Sequence, residues 1–125
     1  MNNKELLRRK LEYATPEELL FILLNDTDNK FKKVIKLWKE DNVEGTILAG
    51  RLSDNVLELR LTLNTEVGNE QTREALRNIS SLYDFIIDEI TLASVHKDFK
   101  RLEEVHSIFS NIKNIFDEDR KNLKL

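Results

Sequence analysis

The sequence predicts an all-α protein, an antiparallel up-and-down four-helix bundle. Apolar residues recur at helical spacing in four long segments. One proline and three glycines in 125 residues are too few for the many tight turns of an all-β chain. Short polar connections separate the four segments, and such connections place sequential helices side by side and antiparallel.

The first helix is expected from about Pro16 to about Lys39. Thr15 can cap it, and Glu18, three residues later, can complete a capping box with Thr15. Six consecutive apolar residues, 19–24, cover every side of its first turns, so other protein must surround this helix start. The polar run 25–30 has weak helix propensity and leaves room for a kink. Its apolar stripe is Leu20, Leu24, Phe31, Val34, Ile35 and Trp38.

The second helix is expected from about Val43 to about Leu63, with Asp41 or Asn42 as its cap. Gly45 and Gly50 each weaken a helix by about 1 kcal/mol relative to Ala. They are tolerable where a neighbouring backbone comes close. The stripe of this helix is Ile47, Leu48, Leu52, Val56, Leu59 and Leu63.

The third helix follows a turn at 64–69 and spans about Glu70 to Val95. Residues 96–98 break the pattern, and Asp98 is expected to cap a fourth helix that ends near Glu118. The third stripe is Leu76, Ile79, Leu82, Tyr83, Ile86, Ile90 and Ala93, and the fourth is Phe99, Leu102, Val105, Phe109, Ile112 and Phe116. The chain therefore divides into an N-terminal arm (1–13), one bundle domain (14–118) and a polar C-terminal tail (119–125).

The composition excludes several classes of protein. A net charge of −3, from 20 basic and 23 acidic residues that are interspersed, provides no basic face for nucleic acid. Without cysteine there is no disulfide, thiol nucleophile or zinc–thiolate site. No apolar run approaches the ~20 residues of a membrane span, and residues 1–10 do not form a signal peptide. We therefore expect a cytoplasmic protein that binds neither nucleic acid nor membrane.

Catalytic and cofactor patterns are nearly absent, so we do not expect an enzyme or a cofactor. A di-metal bundle site needs two Glu-x-x-His motifs, and the chain has one, Glu103 with His106. The other histidine, His96, has Ala93 in the corresponding position. No serine stands on a glycine-flanked elbow, and no phosphate-binding glycine loop occurs. We therefore expect His106 to lie on a solvated flank, no metal to bind, and Asn55 to be a hydrogen-bonded residue at the edge of the core.

Some apolar residues lie outside the predicted stripes. They are Phe21, Ile22, Leu57, Leu61, Phe85 and Ile87. One interpretation is that they widen the core. The other is that they line an exposed groove for the apolar face of a partner helix.

Several short segments, taken in order, resemble the flagellin export chaperone family, FliS. The family opens its first helix with Thr-Ala-Ser-Pro-x-Glu-Leu, and residues 13–19 match at Ala14, Pro16, Glu18 and Leu19, with Thr15 in place of Ser. Its second helix ends Glu-Leu-x-x-Ser-Leu-Asp, which residues 58–64 resemble. Its Gly-Gly turn, Leu-Tyr pair, Ala-Asn pair and Glu-Val pair correspond to residues 68–69, 82–83, 93–94 and 104–105. The resemblance covers about 13–118.

The chain departs from the family pattern at four places. Leu24 stands where the family has Tyr, and Asp26 where it has Gly. The charged segment 4–10 replaces a Tyr-bearing arm, and the late Trp of the family is missing. The resemblance is therefore to a divergent member.

The resemblance implies a cytoplasmic chaperone of flagellar type III export. Such a chaperone binds the disordered C-terminal segment of flagellin and prevents its premature polymerisation. It is expected to be a monomer or a weak homodimer. The alternative is a helical adaptor or self-associating bundle with a non-flagellin partner. The candidate partner-binding residues are Phe21, Ile22, Leu24, Leu57, Leu61, Tyr83 and Ile87.

Overall fold

A computed structural model describes residues 16–123, and all of its regular secondary structure is helical. The helices are α1 (Pro16–Lys39), α2 (Glu44–Thr62), α3 (Glu70–His96) and α4 (Phe99–Leu123). Helix α1 packs against α2 and α4, and α3 packs against the same two helices. The four helices therefore form a closed square in chain order. The predicted all-α four-helix bundle is confirmed over the described residues.

Helix α1 is continuous through the polar run 25–30. The Thr27 hydroxyl donates a hydrogen bond to the Leu23 carbonyl (2.7 Å) and accepts one from Asn55 Nδ2 (3.2 Å). Asn55 Nδ2 also lies 2.9 Å from Asp26 Oδ2. These bonds satisfy the buried Thr27 and join α1 to α2, and they confirm the prediction of a hydrogen-bonded Asn55. The proposed capping residue Thr15 lies outside the described residues.

The connection from α1 to α2 is tight. Asp41 takes a left-handed conformation (φ 52°), and Asn42 Oδ1 accepts a hydrogen bond from the Glu44 amide (2.9 Å). The first turn of α2 then meets the indole of Trp38, because a Cβ added to Gly45 would lie 2.6 Å from Trp38 Cδ1. The close neighbour of Gly45 is therefore a side chain and not the backbone that was expected, and among the described residues no such neighbour lies within 4 Å at Gly50.

The other two turns lie where the sequence predicted them. Gly68 has a positive φ (85°), and the Asn69 side chain then caps α3 by accepting from the Thr72 amide (2.8 Å). Helix α3 ends at a left-handed Lys97, and Asp98 caps α4 by accepting from the Arg101 amide (3.1 Å), as predicted. Helix α4 continues to Leu123, beyond the expected end near residue 118. The predicted arm, 1–13, lies outside the described residues.

The core is built from one apolar stripe per helix. Its fully buried large side chains are Leu24, Phe31, Val34, Leu52, Val56, Leu59, Tyr83, Ile86, Ile90, Leu102, Phe109 and Ile112. The assignment of Ile47 and Leu82 to the core stripes was wrong, because both are exposed. At 100° per residue, Ile47 is turned about 140° away from Leu52.

Phe21 was predicted to lie off the stripe of α1, and this was also wrong. It stands three residues before Leu24, so the two side chains share one face of the helix. Its ring is buried, and the Arg120 guanidinium of α4 lies 4.3 Å from the ring centroid.

His106 does not lie on a solvated flank as expected. Its Nε2 is 2.7 Å from Asp28 Oδ1 across the α1–α4 interface, and its ring stacks on Phe31 at 5.1 Å. Burial raises the pKa of Asp28, but hydrogen bonds and charge from His106 and Lys32 outweigh burial and leave that pKa below its usual value. Glu103, the other half of the motif, pairs instead with Lys39 (3.3 Å).

Candidate functional site

The main candidate site is an apolar surface between α2 and α3. We call it the α2–α3 groove and define it by Leu57, Leu61 and Ile87. Leu57 and Leu61 stand one helical turn apart and keep 45% and 69% of their surface exposed, while Ile87 is half-buried. Two solvent-exposed leucines on a well-packed helix provide apolar surface that a partner can cover.

An ion pair between α2 and α3 shows which residues of the two helices lie beside each other. Arg60 Nε lies 2.5 Å from Asp84 Oδ1, a close ion pair without hydrogen-bond geometry. Leu57 precedes Arg60 by three residues, and Ile87 follows Asp84 by three. Because the helices are antiparallel, both side chains lie on the same side of this ion pair. The pair therefore aligns the two walls of the groove.

A second apolar surface lies along the other side of α3. We call it the α3–α4 groove and define it by Leu82, Phe85, Ile108 and Ile115. Phe85 is 46% exposed, Leu82 and Ile115 are also exposed, and Ile108 is half-buried.

A carboxylate–guanidinium pair links α3 to α4 beside this second groove. Arg101 donates hydrogen bonds from Nε (2.6 Å) and an Nη (3.3 Å) to the carboxylate of Glu89. Hydrogen bonding by Arg101 keeps the pKa of Glu89 below its usual value, so the pair stays charged at neutral pH.

The structure separates the seven predicted partner-binding residues into two groups. Leu57 and Leu61 are exposed, and Ile22 and Ile87 are half-buried. Phe21, Leu24 and Tyr83 lie inside the core and present almost no surface to a partner. We therefore retain only the first group as candidate contact residues.

Sequence reasoning did not include Leu82 and Ile115 among the contact residues. The helical spacing assigned Leu82 to the core because it adjoins Tyr83, although its place on α3 is exposed. Ile115 lies outside the predicted stripe of α4, and this position was the signal from which its exposure could have been predicted.

Tyr83 carries a buried hydroxyl that has no hydrogen-bond partner among the described residues. Burial also raises the pKa of its phenol. We expect Tyr83→Phe to raise the free energy of unfolding by about 1 kcal/mol, because it removes an unsatisfied polar group and keeps the ring. Urea denaturation of the two proteins measures this difference. A loss of stability would show that the hydroxyl has a partner, such as a buried water molecule.

Residues 16–123 show few features of a metal site or a membrane-spanning segment. Within this range there is no group of three or more His, Asp or Glu side chains that could hold a metal ion. None of the helices in the same range is long and apolar enough to cross a membrane. The features that remain are the two apolar grooves beside α3 and the charged groups that align their walls.

Comparison with known proteins gives the same family as the resemblance of the motifs. The family model described as "Flagellar protein FliS" matches residues 2–122. The chain is also similar to the flagellar secretion chaperone FliS of Vibrio cholerae serotype O1 (strain ATCC 39315 / El Tor Inaba N16961), with 27% identity over 111 residues. That alignment covers 87% of this chain and 78% of the relative. Since the family model spans nearly the whole sequence, the chain belongs to the FliS family of flagellar chaperones.

Proposed function

We propose that this protein is a cytoplasmic chaperone of flagellar type III export, and that it binds the disordered C-terminal segment of flagellin. Membership of the FliS family supports this proposal. The observation that carries it is the exposed pair Leu57 and Leu61 beside Ile87, on a bundle whose core is already filled. These leucines are available to a partner without any loss of core packing.

The mechanism follows from coupled folding and binding. A disordered client segment gains helical structure when it places apolar residues spaced at i, i+3 and i+4 along a preformed groove. The ordered bundle limits the entropic cost of binding to that of the client. Once covered by the chaperone, the client segment is unable to pack against other flagellin molecules, and polymerisation is prevented.

The α2–α3 groove and the α3–α4 groove lie on the two sides of α3. A client of several short helices can therefore occupy both grooves by crossing α3. Leu57 and Leu61 would contact one client helix, and Phe85 and Ile115 another.

A titration with the flagellin C-terminal peptide of the same organism tests the proposal. We expect micromolar or tighter binding, with a gain of helicity as the peptide folds. Leu57→Ser combined with Leu61→Ser should weaken binding at least about tenfold, since half-burial of each leucine contributes about 1 kcal/mol. Calorimetry measures the affinity, and circular dichroism measures the gain of helix.

Val43→Ser provides the control, because Val43 is an exposed apolar residue in the α1–α2 connection, outside both grooves. This variant should bind the peptide as tightly as the unchanged protein. If the double serine variant unfolds, Leu57 and Leu61 are core residues and the groove assignment is wrong. Absence of heat and of helix gain with every flagellin of the organism would favour a helical adaptor with a non-flagellin partner.

A further inference from the structure

A separate surface lies on the other side of α2, where α2 meets α1. It is an open cavity of about 340 Å³, which we call the α1–α2 groove. Its lining residues are Lys33, Leu37, Asn42, Glu44, Ile47, Leu48 and Arg51. Asn55 bonds α1 on this side of α2, whereas Arg60 pairs with α3 on the opposite side. The α1–α2 groove is therefore distinct from the α2–α3 groove.

The apolar part of the α1–α2 groove is unusually open to solvent. Ile47 keeps 54% of its surface exposed although it stands on a helix with a closely packed core face. Leu37 and Leu48 beside it are half-buried. Together the three side chains provide a short apolar floor that a single helical turn of a partner can cover.

The charged groups of this groove have an excess of positive charge. Lys33 on α1 and Arg51 on α2 line opposite walls, and Glu44 is the lone carboxylate among the lining residues. Neither cation forms an ion pair within residues 16–120. Along the same part of α1, Lys30 pairs with Asp26, Lys32 with Asp28 and Lys39 with Glu103, whereas Lys36, like Lys33, forms no ion pair among the described residues.

Two like charges on opposite walls of a groove repel each other. A carboxylate placed between them is attracted to both and offsets this repulsion. We propose that the α1–α2 groove is a second docking surface, which binds an acidic amphipathic helix of a partner protein. A carboxylate of that helix lies between Lys33 and Arg51, and its apolar side chains cover Ile47 and Leu37. Because Leu57 and Leu61 remain uncovered, this interaction is compatible with a client on the α2–α3 groove and does not depend on the proposed client.

The N-terminal segment of this chain does not have the charge that the groove requires. Residues 4–10 contain four basic side chains and one acidic side chain. A segment of this composition adds positive charge to a groove that already has an excess of it. Charge complementarity therefore favours a separate, acidic partner.

A pair of synthetic peptides tests the proposal on the full chain. The probe is a fluorescein-labelled amphipathic 18-residue helix with leucines on one face and glutamates beside them, and its counterpart has lysine at every glutamate position. Fluorescence anisotropy should show at least about tenfold tighter binding of the glutamate peptide. Lys33→Glu combined with Arg51→Glu should reverse this preference, whereas Lys36→Glu should leave it unchanged. Lys36 is an exposed lysine of α1 that does not line the groove.

Amide chemical shifts then locate the bound peptide. The proposal expects changes at Leu37, Ile47 and Arg51, and expects that Leu57→Ser with Leu61→Ser keeps the affinity for the glutamate peptide. Equal binding of the two peptides, no binding of the glutamate peptide, or shift changes centred on Leu57 and Leu61 would overturn it. Failure of flagellin binding in the separate titration would leave these outcomes unaffected, so the two proposals fail independently.

Discussion

Phe31→Ala is expected to lower the free energy of unfolding by about 3–5 kcal/mol, the range for loss of a buried phenylalanine. Phe31 is fully buried, and its ring packs against Phe109 at 5.2 Å and against His106 at 5.1 Å. The substitution leaves a cavity between α1 and α4 and removes the ring that holds His106 toward Asp28. Since small domains are stable by about 5–15 kcal/mol, this loss is a large fraction of the total stability.

Phe85→Ala is the matched control, because the same atoms are removed from a ring that is 46% exposed. Its cost to stability should be below about 1 kcal/mol. Urea denaturation followed by circular dichroism measures both variants. Equal losses would show that Phe85 is as important for the core as Phe31, and would remove it from the α3–α4 groove. Under the proposed function, Phe85→Ala should weaken client binding at little cost to stability, whereas Phe31→Ala should mainly lower the stability of the chaperone.

Gly45→Ala is expected to destabilise the bundle by about 1–3 kcal/mol, the usual cost of overpacking. The added methyl group would lie 2.6 Å from Trp38 Cδ1, 2.9 Å from Trp38 Nε1 and 3.1 Å from Leu37 Cβ. The indole is buried and donates a hydrogen bond to the Thr46 hydroxyl (3.2 Å), so it has little room to move. Thermal or urea denaturation measures the loss, and a red shift of Trp38 fluorescence would report that the indole has become exposed.

Gly50→Ala should instead raise the free energy of unfolding. No atom lies within 4 Å of a Cβ built at Gly50, which is an exposed position in the middle of α2. Alanine there should stabilise the protein by about 1 kcal/mol through helix propensity alone. If both glycine variants stabilise the protein, the close packing of Trp38 against α2 is wrong.

These two pairs of matched substitutions bear on function because an export chaperone needs both an exposed binding surface and a stable core. Under the proposed function, the groove residues must stay exposed to receive the client, and the remaining apolar side chains must be buried well enough to hold the bundle together. Leu59 and Leu61 illustrate the division, since they stand two residues apart on α2 and are fully buried and 69% exposed, respectively. Substitutions in the two classes should therefore separate stability from client binding.

The sequence by itself determined the helices, their order and where each begins, whereas α4 ends five residues later than expected. Helical spacing of apolar residues, Asn69 and Asp98 as capping side chains, and Gly68 in a turn are local signals, and each acts within a few residues. At the start of α2 the cap position is taken by Val43, which makes no side-chain capping bond, and by neither Asp41 nor Asn42 as expected. The helices therefore begin close to their predicted positions. The family could be recognised for the same reason, because its motifs are short local segments.

Only the tertiary structure decided which apolar residues are covered. Phe21 is buried and Arg120, about a hundred residues later, lies over its ring, whereas Ile47 is exposed because none of the four described helices covers the outer side of α2. His106 leaves the solvent because Asp28 and Phe31 meet it across the α1–α4 interface. Helical period gives the direction of a side chain relative to its own helix, whereas burial depends on how neighbouring helices are rotated and spaced. Contacts between distant residues set that arrangement, and they decide which leucines are left for a partner.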